Sequence, residues 1–188
     1  MTNSEMQALK DELSIKCKNG VDFITAATVI WFLIGMIWTL SYTAYDKSVL
    51  TFIIGGVLLP LAFGLSKVYK TQWKIPENPL SPLGLWLNFA QLFYFPFLVV
   101  ILIKSPEYFV MTYAIITGAH FFPYAWFYDE KAFAIAAGVI AIGSMALGLT
   151  LSSGQMYLLP LLVSVALGIL AVALYLSTQR KAKTIEVL

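Results

Sequence analysis

Between Val21 and Leu176 the sequence divides into six apolar runs: Val21 to Tyr42, Val49 to Ser66, Leu83 to Ile103, Tyr108 to Tyr128, Ala132 to Leu151 and Met156 to Leu176. A helix needs roughly 20 apolar residues to cross about 30 Å of hydrocarbon, and each run is close to that length. In hydrocarbon, backbone N–H and C=O groups must be satisfied internally, which leaves helices as the structure for such runs. The expectation is an all-α integral membrane protein, a six-transmembrane-helix bundle. Composition agrees, with 60% of the 188 residues hydrophobic, 12% charged and a mean hydropathy of +0.81. An ordinary soluble domain carries about a quarter charged residues.

The polar punctuation sets the boundaries. "SSGQ" at Ser152 to Gln155 is a turn signal between the last two runs. Ahead of the first run, "TNSEMQALKDELSIKCKNG" opens on cap candidates, closes on Asn19-Gly20 and repeats Met6, Leu9, Leu13 and Cys17 on one helical face. Residues 1–20 are therefore predicted as an amphipathic N-terminal helix, either a membrane-surface element or a lead-in docked on the bundle. Residues 21–176 form the transmembrane domain and 177–188 a cytoplasmic basic tail. The long charged lead and the span-length run behind it argue against a cleaved signal peptide.

Charge orients the bundle. With six spans, ten of the 12 Lys and Arg residues fall on one side and only Lys47 and Lys104 on the other. The positive-inside rule then predicts both termini in the cytoplasm. A formal charge of +2, with no arginine cluster or basic-aromatic stripe, excludes nucleic acid as a partner. The lone Cys17 precludes an intrachain disulfide. One histidine, one cysteine and no paired ligand spacing predict no metal site and no cofactor. Nucleophile elbows, phosphate-cradling loops and dinucleotide fingerprints are also absent.

Loops carry start signals. "SPEYF" from Ser105 is expected to cap the fourth span, with Glu107 in its first turn, and Ser81-Pro82 to start the third. The proline-rich link "KVYKTQWKIPENPLSPLG" is read as an interface connector, with a lid built on Glu77 and Asn78 as the alternative. Asp129 and Glu130 are expected as solvated caps, and Asp22 as solvated at the interface. Small residues at four-residue spacing, Ala134 with Gly138, Ala137 with Ala141 and Ser144 with Gly148, allow close helix packing with Ser164 and Gly168, or association with a second copy.

The intramembrane polar groups fall on the third and fourth spans. Tyr113, Thr117, His120 and Tyr124 lie within an arc of about 60°, and Asn88 and Gln91 share a face of the third span. Counting about 1.5 Å per residue puts Gln91 and His120 at a common depth of roughly 12 Å. Pro96 and Pro123 are expected to kink these spans and weaken hydrogen bonding to the carbonyls of Leu92 and Ala119. His120, the only histidine, has three readings. It is interhelical glue with both nitrogens satisfied by neighbours, a contact to a bound or transported molecule, or a general acid-base group.

The residues "ENPLSPLGLWLNFAQLFYFP", "SPEYF" and "YAIITGAHFFPYAWFY" resemble an uncharacterised family of small polytopic bacterial membrane proteins, over most of the chain. The resemblance implies a bacterial inner-membrane location and no activity. The expected function is binding or translocation of a small apolar or amphipathic molecule in an aromatic pocket between the third and fourth spans. Asn88, Gln91, His120 and Tyr124 orient it, joined by Thr117, with Trp86, Tyr94, Tyr113 and Trp126 as walls. Membrane lipids are the other expected partner. The alternatives are an enzyme acting on a lipid-like substrate through His120, and a non-catalytic regulatory membrane protein.

Overall fold

The computed structural model describes residues 2–186, with side chains through Lys183. Among the described residues the chain is all-helical: α1 (Asn3–Lys16), α2 (Val21–Trp38), α3 (Ala44–Gly55), α4 (Leu58–Tyr69), α5 (Ser81–Leu92), α6 (Phe95–Lys104), α7 (Phe109–Phe127), α8 (Ala132–Thr150) and α9 (Leu158–Glu186). Five stretches are long and apolar enough to cross a membrane: Lys18–Trp38, Ala44–Tyr69, Ser81–Lys104, Ala132–Thr150 and Ser153–Lys183. The 19-residue α7 is long enough but less apolar, because Thr112, Tyr113, Thr117, His120, Pro123 and Tyr124 interrupt its hydrocarbon character. Large apolar side chains such as Phe93, Phe97 and Val68 stand exposed on the bundle's outside. Water tolerates such a continuous surface poorly.

Local chemistry explains the ends of α1. Thr2 and Glu5 form a capping box, the Thr2 hydroxyl accepting from Glu5 N at 3.2 Å and the Glu5 carboxylate accepting from Thr2 N at 2.7 Å. The helix stops where Lys18, Asn19 and Gly20 all adopt positive φ. Asn19 suits that left-handed turn and is fully buried. Its Oδ1 accepts from Ser14 Oγ at 2.6 Å, and its amide donates to Thr178 Oγ1 at 3.1 Å.

The second and third apolar runs are each broken in two. Gly56 and Val57 separate α3 from α4, and Phe93 and Tyr94 separate α5 from α6. Proline explains the second break. Pro96 lacks an N–H and disfavours helix just before it, yet is well placed in the first turn of the next helix. The interruption therefore falls upstream of the proline. Pro123, by contrast, lies inside an unbroken α7. At the other end of the chain, α9 runs through Leu176 without a breaker. Much of the expected tail is thus helix, and residues 187 and 188 lie outside the described residues.

Small residues set the helix pairs. α7 and α8 run antiparallel, with Gly118 against Ala141 and Ile140, and Gly148 against Met111. A Cβ on Gly118 would come within 2.8 Å of the Ala141 nitrogen. α2 and α9 are likewise antiparallel, with Gly35 against Leu161 and Ser164 Oγ donating to the Thr28 carbonyl at 2.9 Å. Gly138 meets nothing within 4 Å, so its spacing to Ala134 serves no contact in this chain.

One end of the bundle gathers α1, the α4–α5 link, the α7–α8 turn and the far part of α9. Gln72 N donates to Lys16 O at 3.0 Å, and the buried Asn78 donates to Leu9 O and Glu12 at 2.9 Å each. Gln7 donates to Asp129, Ser177 to Glu130, and Lys181 to the Tyr128 and Asp129 carbonyls. Asp129 and Glu130 are tethers rather than freely solvated caps. One cap expectation changes. Ser105 makes no capping hydrogen bond, because Pro106–Tyr108 forms a 3₁₀ turn before α7. α5 does begin at Ser81-Pro82, and Ser81 Oγ also accepts from Ile75 N at 3.1 Å.

Candidate functional site

Two cavities lie along the inner face of α7, and His120 lines both. The larger, about 130 Å³, is bounded by α2, α5, α7, the end of α1 and the α4–α5 link. The smaller, about 60 Å³, lies deeper among α2, α5 and α7. Both are also lined by Phe23, Ile24, Asn88 and Phe121. The site therefore extends beyond the expected seam between the third and fourth spans, since α2 supplies a full wall.

The helical stripe on α7 explains which residues converge. His120 and Tyr124 reach the larger cavity, and Tyr113, Thr117 and His120 the smaller. From α5, Asn88 lines both and Gln91 the smaller. The Asn88 amide and the Tyr124 hydroxyl both donate to the Gly84 carbonyl, at 3.0 and 3.4 Å. Gly84 lets this approach occur without displacing the Phe127 ring, which a Cβ would meet at 3.0 Å. Tyr113 packs at 5.2 Å between centroids against Trp31.

His120 contacts aromatic edges and faces, with centroids 5.0 Å from Phe121 and 5.3 Å from Tyr124. Neither ring nitrogen makes a well-directed hydrogen bond, the Thr117 backbone being the one acceptor within reach of the ring, and Thr117 Oγ1 is likewise unpaired. The glue reading required both nitrogens to be satisfied by neighbouring helices. Asn88 and Gln91, which border the same space, make no hydrogen bond to the ring.

Three expected walls line neither cavity. Trp86 and Trp126 are 68% and 51% exposed, and Tyr94 is 51% exposed. Trp86 and Trp126 lie two residues from the inward-facing Asn88 and Tyr124, about 200° around their helices. Trp126 instead holds the Lys10 ammonium 3.7 Å from its ring centroid. Tyr94 falls in the break between α5 and α6.

The opposite correction applies to Asp22, expected at a solvated interface but only 1% exposed. The α4–α5 link folds over it. Thr71 Oγ1 and Trp73 Nε1 each donate to Asp22 Oδ2 at 2.7 Å, and Trp73 packs on Phe23 at 4.7 Å. Asp22, Trp73 and Cys17 all line the larger cavity. Burial, reinforced by the charges of Asp22 and Glu12, pushes the Cys17 thiol up to about 12, so it stays protonated and unreactive. Among the described residues no group of three His, Cys, Asp or Glu side chains is placed to hold a metal ion.

These features define a helical protein with span-length apolar segments and an internal, aromatic-walled polar site. Residues 6–177 match DUF7010, a family of unknown function, and the chain belongs to it. No curated protein and no solved structure matches the chain.

Proposed function

We propose that this chain is a bacterial inner-membrane protein that binds or translocates a small apolar or amphipathic molecule through the two cavities bordering His120. The supporting observation is the His120 ring, which lines both spaces and has no well-directed hydrogen bond from a neighbouring helix. A buried polar group without a partner costs about 1–3 kcal/mol, and a bound molecule offering a donor or acceptor offsets that cost. Aromatic walls with a few converging polar groups are the usual make-up of small-molecule sites.

The same reading takes α7 as a sixth span, since 19 residues rise about 28 Å. It runs antiparallel to α8, as alternating spans do. Both termini lie in the cytoplasm on the ten-to-two division of Lys and Arg. The half-buried Met6, Leu9 and Cys17 and the buried Leu13 support α1 as an amphipathic helix docked on that cytoplasmic end.

Native mass spectrometry of the gently extracted full chain tests the binding reading. The expected result is a retained small-molecule mass on the wild type that is lost in His120→Phe, which fills the space without offering nitrogens. A wild type carrying no such mass, or a variant retaining it unchanged, overturns the reading.

A further inference from the structure

The charge balance around Asp22 narrows the ligand class. An isolated carboxylate is costly to bury and is normally paired with a cation. The Lys16–Glu12 pair is the only salt bridge among the described residues. Three lysines at this end have partners of their own: Lys18 donates to the Tyr69 carbonyl at 2.6 Å, Lys181 to Tyr128 and Asp129, and Lys67 lies over the Phe63 ring. Thr71 and Trp73 are neutral donors, and both bond the same oxygen, Oδ2. Among the described residues, both side-chain hydrogen bonds to Asp22 go to Oδ2 and none to Oδ1. The first turn of α2 supplies about half a positive charge from its helix dipole. Among the described residues no cation forms a salt bridge with Asp22, whose side chain borders the larger cavity.

The rest of that cavity suits an organic cation. Phe23, Trp73, Phe121, Tyr124 and Tyr128 line it, and aromatic ring faces attract an ammonium, more strongly once it is desolvated. A space of about 130 Å³ is comparable to the cavity of about 150 Å³ that accommodates benzene, which also matches a compact alkylammonium. We infer that the larger cavity binds a small organic ammonium ion, with Asp22 as its counter-charge and the aromatic rings as its cage. This inference rests on the reading of the cavities as a ligand site and specifies the charge of the ligand.

Tetramethylammonium and tert-butanol, tetrahedral molecules of similar size that differ in charge, separate the two claims. Isothermal titration of the full chain in nanodiscs at constant ionic strength is expected to show saturable tetramethylammonium binding, at least tenfold tighter than tert-butanol. Asp22→Asn should reduce the cation's affinity at least tenfold and leave tert-butanol unaffected, while Asp22→Glu retains cation binding. Equal affinity for both probes, or an unchanged cation affinity in Asp22→Asn, overturns the ammonium assignment while leaving a neutral-ligand site. Binding of neither probe overturns both. The wild-type comparison alone decides the matter if Asp22→Asn does not fold.

Discussion

Trp73 donates its indole N–H to Asp22 Oδ2 at 2.7 Å, joining the α4–α5 link to the first turn of α2 across 51 positions of sequence. Trp73→Phe keeps a ring against Phe23 and removes only the donor. Hydrogen bonds to charged groups contribute about 1.5–3 kcal/mol, so the variant should unfold at a lower temperature by an amount corresponding to that loss. Thermal unfolding in detergent checks it. An unshifted transition would mean the bond contributes nothing.

Gly118 and Gly138 should respond oppositely to an added methyl group. In Gly118→Ala the new Cβ would meet the Ala141 nitrogen at 2.8 Å and Ile140 Cγ2 at 2.9 Å. Overpacking of this kind costs about 1–3 kcal/mol. Gly138→Ala enters open space and should stabilise α8 by up to about 1 kcal/mol, since alanine has the higher helix propensity. Paired denaturation curves of the two variants provide the measurement.

Cys17 should resist alkylation in the folded chain. Its thiol is raised by burial from 9.0 to about 12, so maleimide labelling should stay slow from pH 7 to about 10 and accelerate on denaturation. The stability effect has a definite sign. Between about 9 and about 12 the unfolded thiol loses its proton while the folded one keeps it, so stability falls as pH rises through that window. Cys17→Ser should flatten that part of the curve.

How much of this was legible in the sequence depends on the distance over which each feature is determined. Apolar run length is local, and five of the six runs coincide with stretches apolar enough to span. The α7 stripe is also local, because helical periodicity alone places Tyr113, Thr117, His120 and Tyr124 on one side. Trp86 and Trp126 could have been excluded by the same arithmetic, since each lies about 200° from a residue assigned to the pocket. Asp22 could not have been read as buried in this way. Its burial depends on Thr71 and Trp73 folding back from a proline-rich link, and no periodicity encodes that return.

The Asn19 turn ties the start of the fold to its end. Its amide donates to Thr178, 159 positions later, so during synthesis this left-handed residue waits for nearly every other helix before its bond forms. Asp22 waits a shorter time, until Thr71 and Trp73 emerge. Two polar residues around the start of α2 thus depend for their bonds on segments far along the chain, and the last helix completes the first turn.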